Sequence, residues 1–237
     1  MSIDEMEKDK IEKYFEELAE EYKNDKIARI IIVGGAAILL KYNFRQSTKD
    51  IDASIYSSEK MLDAIERVSV NNNLHYKWIN TDFENSPSYT EKLDNISTHF
   101  KTYNNKIEVR VIEGEYLIAM KLKAGRGYKH DLSDVSGILW EHEKNGNYIK
   151  KEQIIKAAEY LYDSWDNIPD ISKVLLNDIY KKHDFKNSYY ESIEYEEKTR
   201  NDIDKFNQEY PNVLTPGNFK DILDNIEKKK NITDKNN

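Results

Sequence analysis

A pair of aspartates one residue apart, Asp50 and Asp52, follows two adjacent glycines, Gly34 and Gly35, by about one helix and a turn. An apolar run over residues 27–33 leads into the glycines, so the segment predicts a buried strand, a glycine turn, a short helix and a second strand. Alternate side chains of a strand share a face, and the two carboxylates therefore project together. Because adjacent carboxylates repel each other unless a cation lies between them, the pattern predicts a divalent-metal site. Hard oxygen ligands favour Mg²⁺, with Mn²⁺ as the alternative.

The bulk composition excludes several classes of protein. A chain of 237 residues with 38% hydrophobic residues can fill one large or two modest cores. The absence of cysteine excludes disulfides and thiolate metal sites. A net charge of -8 argues against nonspecific nucleic-acid binding, although a local basic site is compatible with it. Residues 1–26 lack the apolar core of a signal peptide and no run has the length of a transmembrane helix, so we expect no membrane association and a cytoplasmic location.

Hydrophobic periodicity divides the chain into an α/β part and a helical part. The runs that fit strands are residues 27–33, 50–56, 76–79, 96–103 and 106–112, and those that fit helices are residues 5–23, 36–42, 59–70, 115–124 and 131–143. Asn104-Asn105 is a turn signal between the last two strands. Composition changes near residue 148, so we expect an α/β domain over residues 1–147 and a helical region over residues 148–237. Prolines at 211 and 216 set off a final helix, and the residues from 228 onward should fray.

The glycine pair has two interpretations. Gly34-Gly35 can be a tight turn from strand to helix that binds nothing, or it can let the backbone and the helix N-terminus approach a phosphate. The nearby aspartates favour the second, because a phosphate-binding turn beside a metal-binding pair is the minimum needed to hold a nucleoside triphosphate with Mg²⁺. Phosphoryl transfer with two metal ions usually needs a third carboxylate, and Glu108 is the best candidate. Glu108 can equally be an exposed strand residue that pairs with Arg110.

A basic segment follows in this acidic chain. Lys121 lies on or near the buried face of its helix, where an ammonium needs an anion or must reach solvent. A triphosphate would satisfy it, with Arg126 nearby. Asp131 and Asp134 fit a helix N-cap and a first-turn charge, and either can also orient Lys121, Arg126 or Arg45 from behind. Arg45, which precedes the aspartate pair together with Thr48, either contacts phosphate or braces the acidic strand.

Together these motifs resemble the nucleotidyltransferase superfamily with the DNA polymerase β-like catalytic fold, and within it the bacterial abortive-infection and toxin–antitoxin nucleotidyltransferase-like proteins. The matching elements keep the order and spacing of the family over residues 30 to about 140. They are Gly34-Gly35-Ala36, Arg45-x-Ser47-Thr48-x-Asp50-Ile51-Asp52, Leu117-Ile-Ala-Met-Lys121-Leu, Arg126 and Asp131-Leu-Ser-Asp134. The chain departs from many members in having Gly-Gly instead of Gly-Ser and in offering a glutamate as the third carboxylate.

The resemblance implies an α+β fold in which a short mixed sheet is flanked by helices. It implies that Asp50 and Asp52 hold Mg²⁺ and that Gly35 and Lys121 contact the triphosphate. The implied reaction transfers a nucleotidyl group from a nucleoside triphosphate to an RNA, such as transfer RNA, or to a protein, and pyrophosphate leaves. A cognate antitoxin is the implied partner.

Three functions remain open from the sequence. The chain is an active nucleotidyltransferase of a toxin–antitoxin or phage-defence system, or a degenerate member that binds a nucleotide or a partner without turnover, or an antitoxin that acts through the acidic helical region around residues 191–197. A third carboxylate near the aspartate pair would distinguish the first from the second.

Overall fold

The protein is described here by a computed structural model that covers residues 5–126, 130–211, 213 and 222. Its strands are β1 (Ala28–Ile32), β2 (Ile51–Tyr56), β3 (Ile79–Asn80), β4 (Ser97–Tyr103) and β5 (Ile107–Ile112). Its helices are α1 (Lys8–Glu21), α2 (Gly34–Lys41), α3 (Lys60–Asn71), α4 (Leu93–Ile96), α5 (Gly114–Ala124), α6 (Asp131–Lys144), α7 (Lys151–Tyr162), α8 (Asp170–Lys182) and α9 (Phe185–Glu209). The expected final helix and frayed end, and Gly127 to Lys129 of the basic segment, lie outside the described residues.

Within the described part of the chain, five strands form one mixed sheet in the order β3-β2-β1-β5-β4. β1 is parallel to β5 and antiparallel to β2, β2 is parallel to β3, and β4 and β5 form an antiparallel hairpin. The hairpin turns at Asn104 and Asn105, whose φ angles of 48° and 55° are both positive, and the backbone N–H of Lys106 donates to the carbonyl of Tyr103. The fold is therefore α+β, with a short mixed sheet flanked by helices, as the sequence predicts.

β5 alternates, with apolar side chains buried in the core and Glu108 and Arg110 half-buried on the other face, whereas β1 is buried along its length apart from Arg29. Ile30, Val109 and their apolar neighbours are completely buried. On the second face, β2 carries Asp52 and then Ser54, whose hydroxyl donates to Glu84 at 2.7 Å. This face is therefore the one that receives the polar segment between β3 and β4.

The sequence predicts a strand over residues 76–79, but the strand in the structure is shorter and covers only Ile79–Asn80. The backbone N–H of Trp78 donates to the carbonyl of His75, which makes a turn, and Tyr76 is exposed. Only Ile79 and Asn80 pair with β2. The indole of Trp78 is nevertheless buried, so the apolar signal reflects core packing and not strand pairing.

After residue 148 the described residues are helical or in short turns and contain no strand. α7 packs against α5, and α9 packs along α6. The helical region therefore supports the two helices that follow β5 in the chain. No helix among the described residues is both long enough and apolar enough to cross a membrane.

Candidate active site

A cavity of about 360 Å³ lies at the junction between β1 and α2. Asp50 and Asp52 both line it, together with Gly34 and Gly35. Asp50 directly precedes β2 and is exposed, whereas Asp52 is the second residue of the strand and is half-buried. The sequence motif thus brings the two carboxylates and the glycine turn to one cavity.

The two glycines fit the space that their neighbours leave. Gly34 has a φ of +62°, and a Cβ atom there would lie 3.3 Å from Oδ2 of Asp52. A Cβ atom on Gly35 would lie 2.8 Å from Nη2 of Arg45 and 3.2 Å from the hydroxyl oxygen of Thr48. The 2.8 Å contact is closer than real Cβ atoms come, and the other two are tighter than most, so a side chain at either position would crowd its neighbours. The glycines leave room for the backbone at the start of α2 to meet a ligand. The first amides of a helix lack carbonyl partners within it and suit an anion.

Two buried aspartates organise the cations of the cavity. Nη1 of Arg45 donates to both carboxylate oxygens of Asp134, at 2.8 and 2.9 Å. The ammonium of Lys121 lies 2.9 Å from Oδ1 of Asp131 and 2.7 Å from Oδ2 of Asp134. Both aspartate side chains are only 2% exposed. Arg45 and Lys121 are therefore held in place by carboxylates that are themselves almost completely buried.

Arg126 completes this cluster at its exposed edge. Its Nε donates to Oδ2 of Asp131 at 2.9 Å, and its side chain is 39% exposed. Burial alone would raise the pKa of the Asp131 carboxyl, but Lys121 and Arg126 outweigh burial and the pKa is lowered. Burial alone would lower the pKa of Lys121, but Asp131 and Asp134 raise it. The carboxylate and ammonium forms thus stabilise each other, and three cations face two aspartates.

Glu108, the expected third carboxylate, does not line this cavity. It pairs with Arg29 at 3.1 Å and with Arg110 at 3.0 Å. Burial acts to raise its pKa, but the two guanidinium groups lower it. On β1, Arg29 is the residue paired with Glu108. The backbone N–H of Val33, four residues further along, donates to the carbonyl of Asp52. Four strand residues span about 13 Å, so Glu108 shares the face of the aspartate pair but lies toward the other end of the strands.

No group of three or more histidine, aspartate or glutamate side chains comes together as a metal-ligand cluster in the described ranges, which lack residues 127–129 and most of the C-terminus. The catalytic role of Glu108 stays a prediction that its contacts do not support.

Several residues that sequence reasoning did not select also line the cavity. They come mainly from the segment after β3, which the sequence marks only as a polar loop, and from α5: Asn80, Asp82, Phe83, Ser86, Ser88, Leu117, Met120 and Ala124. The apolar members can hold a flat ring system, and the polar ones can hydrogen-bond to its edge.

One further carboxylate supports the site from the helical region. Glu196 on α9 is 1% exposed, and its Oε1 accepts from the backbone N–H groups of Leu132 at 2.9 Å and Ser133 at 3.1 Å. Its Oε2 accepts from the Ser133 hydroxyl at 2.7 Å. Glu196 therefore caps the N-terminus of α6, the helix that carries Asp131 and Asp134. The only sequence signal for this role is its helical spacing from Ser188 and Ser192, which are also buried.

Comparison with known proteins agrees with this geometry. Residues 9–168 match the model of a protein family described as a nucleotidyltransferase of unknown function (DUF6036). The chain belongs to this family. No curated protein and no solved structure matches the chain. The matched range contains β1 to β5 and every residue of the cavity. It also crosses the expected domain boundary at residue 147, so the division of the chain into two domains stays a prediction.

Proposed function

We propose that this protein is a metal-dependent nucleotidyltransferase that moves a nucleoside monophosphate from a nucleoside triphosphate to a hydroxyl of an RNA or a protein. The observation that carries the proposal is the cavity in which an aspartate pair, a glycine turn at a helix N-terminus and a buttressed cation cluster meet. Phosphoryl and nucleotidyl transfer depend mainly on positioning and on electrostatic stabilisation, and these are the groups that supply both.

The triphosphate would take the cation side of the cavity. An ammonium has three donors, and Lys121 directs two of them at Asp131 and Asp134. Nη2 of Arg45 points to the space beside Gly35, while Nη1 is occupied by Asp134. Phosphate oxygens at this point would receive charge-assisted hydrogen bonds from both side chains. Since the cations are already held in place, little ordering is needed when the ligand binds.

The donors at the other part of the cavity fit a divalent cation. Asp50 and Asp52 offer carboxylate oxygens to the cavity, and the absence of a side chain at Gly34, whose Cβ would lie 3.3 Å from Oδ2 of Asp52, leaves the space beside that carboxylate open. Hard oxygen ligands of this kind suit Mg²⁺ or Mn²⁺. Such an ion, when bound, supplies Lewis-acid stabilisation of phosphate oxygens.

In the reaction, the acceptor hydroxyl attacks the α-phosphorus of the nucleotide. A new P–O bond forms to the acceptor, the bond between the α-phosphorus and the β-phosphate oxygen breaks, and pyrophosphate leaves. Lys121 and Arg45 stabilise the negative charge that gathers on the leaving group. Arg126, which is more exposed, would contact the outer phosphates or the acceptor.

In the cell, we propose a cytoplasmic role in a toxin–antitoxin or phage-defence system, with transfer RNA or a protein as the acceptor and a cognate antitoxin as the partner. Expression of the wild-type chain should then slow growth, and Asp52→Asn should relieve the effect. Equal toxicity of the two forms would contradict this role.

The biochemical test uses α-labelled ATP, GTP, CTP and UTP with Mg²⁺, total bacterial RNA and cell lysate. The protein is compared with Asp50→Asn/Asp52→Asn and with a matched control, Asp163→Asn/Asp170→Asn, in which both aspartates are exposed. Label on RNA or protein with the wild type and the control, but not with the Asp50/Asp52 variant, supports the proposal and identifies the nucleotide and the acceptor class. Undiminished labelling by the Asp50/Asp52 variant contradicts it.

A second function has one specific observation in its favour. The described residues place no third carboxylate with Asp50 and Asp52 as a ligand cluster, which fits a protein that binds a nucleotide without turnover. This alternative predicts nucleotide binding, measured by calorimetry, with no labelled product from any of the four triphosphates.

A further inference from the structure

His130 stands at the start of α6, on the wall of the same cavity. Its side chain is 45% exposed, so an incoming acceptor can reach it. Two residues of α9 flank the imidazole. Nδ1 lies 3.5 Å from Oε2 of Glu196, and Nε2 lies 3.4 Å from Nη1 of Arg200. The proposed reaction needs a group that removes the proton of the acceptor hydroxyl, and a histidine beside a buried carboxylate is the common protein solution.

From this arrangement we propose that His130 is the proton acceptor of the transfer reaction and that Glu196 is its positioning residue. The inference rests on the proposed nucleotidyltransferase function and adds to it the group that activates the acceptor. The proton of the acceptor hydroxyl passes to Nε2 as the hydroxyl oxygen bonds to the α-phosphorus, and pyrophosphate carries away the electron pair of the broken P–O bond.

The contacts favour the tautomer that this role requires. A guanidinium has donors and no acceptor, so Nε2 of the neutral ring accepts from Arg200 and carries the lone pair. The ring proton is then on Nδ1, which faces Glu196. The carboxylate of Glu196 stabilises the imidazolium that forms when Nε2 takes a proton, as the aspartate of a Ser-His-Asp triad does.

Glu196 is suited to hold the ring because it is itself held. Its two oxygens accept from Leu132, from Ser133 and from the hydroxyl of Ser133, so the carboxylate has little freedom to turn. The ring lies against the same helix N-terminus that the carboxylate caps. Arg200 occupies the Nε2 side in the absence of an acceptor, and the acceptor hydroxyl takes its place when it binds.

Of the charged groups in the part of the chain that the structure describes, those of the cavity and those of α9 are the ones to consider. Glu196 and Arg200 face it from α9, and Asp131 and Arg126 share its cavity wall. Asp131 and Arg126 are paired with each other, so a change of rate with pH is assigned to His130 by comparing variants and not from the wild type alone.

The test measures single-turnover transfer of label and, separately, nucleotide affinity between about pH 5.5 and about pH 8.5, the range in which imidazole side chains change charge. We expect His130→Gln to lower the transfer rate on the order of 100-fold, to leave nucleotide affinity unchanged and to remove the rise of rate with pH. His99→Gln, a substitution of an exposed histidine on β4, is the matched control and should behave as the wild type. Added imidazole should restore part of the rate of His130→Gly.

Glu196→Gln tests the positioning residue, and Glu197→Gln, at the exposed neighbouring glutamate of α9, is its control. Glu196→Gln should alter the pH profile of transfer, whereas Glu197→Gln should keep it. If Glu196→Gln does not fold, the His130 variants still decide the matter.

Wild-type rates and pH profile in His130→Gln would overturn the inference and leave the proposed function intact. Absence of transfer in the wild type would overturn both.

Discussion

One nitrogen of Arg45 donates to both carboxylate oxygens of Asp134, although the two residues are 89 positions apart in the chain. This contact ties the loop before β2 to α6. Asp134 is almost completely enclosed and also holds Lys121. The relationship therefore joins the segment that leads to the aspartate pair with the cations that face it.

Asp134→Asn should destabilise the protein more than an ordinary polar substitution does. The change leaves Arg45 without its anionic partner in a place that water reaches poorly, and breaking a buried ion pair costs about 3–5 kcal/mol. Urea unfolding at neutral pH measures the difference in the free energy of unfolding. Asp178→Asn on the exposed side of α8 is the control and should change it by less than about 0.5 kcal/mol. Equal effects of the two substitutions would contradict the structural importance of the Arg45–Asp134 contact.

Gly34→Ala and Gly146→Ala form a matched pair that separates backbone strain from active-site geometry. Both glycines have positive φ, +62° and +73°, so each alanine should cost about 1–2 kcal/mol of stability. Only at Gly34 does the new methyl group meet the Asp52 carboxylate, because nothing lies within 4 Å at Gly146. We therefore expect transfer activity to fall at least about tenfold in Gly34→Ala alone. Comparable activity in both variants would show that the glycine turn does not shape the carboxylate site.

The stability of the protein should depend on Asp131 at acid pH. The pKa of Asp131 is lowered in the folded state, so its contribution to stability is present above the ordinary range of an aspartate, about pH 3.9, and is lost as the pH falls through the folded value. Between about pH 6 and about pH 2, the wild type should lose its stability advantage over Asp131→Asn. Urea midpoints across this range measure the loss. The exposed control Asp170→Asn should remain parallel to the wild type.

The contribution of Lys121 to stability should depend on pH in the opposite direction, because it is lost at alkaline pH. Its raised pKa means that its contribution is complete below the ordinary range of a lysine, about pH 10.4, and is lost as the pH rises through the folded value. A wild-type stability profile that stays flat into strongly alkaline pH would contradict the ion pairs assigned to Lys121.

Glu108→Gln decides the question of the third carboxylate. Because Glu108 is paired with Arg29 and Arg110 at the far end of the strands, we expect the substitution to leave label transfer close to the wild-type rate. Asp52→Asn, assayed in parallel, should abolish it. Loss of transfer in Glu108→Gln with an unchanged urea midpoint would instead support the role that the sequence suggests for this residue.

The strands and most helices of the fold follow from local patterns. The apolar run before Gly34 gives β1, which is buried along most of its length, and the alternation in Lys106 to Ile112 gives β5, because a half-buried strand has a period of two. The family and the mixed sheet were predicted in a different way, from the resemblance that the glycine, aspartate and lysine motifs carry. The prediction of a strand over Tyr76 to Ile79 was inaccurate because a segment with a buried tryptophan in a turn has the same aromatic and apolar composition as a strand.

Two features of the site could not be predicted from the sequence. One is the position of a residue along its strand, and the other is a contact between residues that are far apart in the chain. Glu108 has the correct face, but its position along the sheet depends on the strand register, which the motif spacing does not contain. Glu196 reaches Ser133 across 63 positions of the chain, and no local pattern marks such a contact. Arg45, Lys121, Asp131 and Asp134 could be proposed because they lie within short motifs, but their pairing is visible only in three dimensions.

The cap that Glu196 places on α6 sets an order of events during synthesis. The glycine turn, the aspartate pair and the cations leave the ribosome well before α9 does, so a nascent chain or a product truncated before residue 185 holds all of them with the N-terminus of α6 lacking its carboxylate acceptor. The N-terminus of α6 therefore gains its cap only after Glu196 has been synthesised and α9 has packed against α6. The helix that carries Asp131 and Asp134 thus depends on a segment that is made after it.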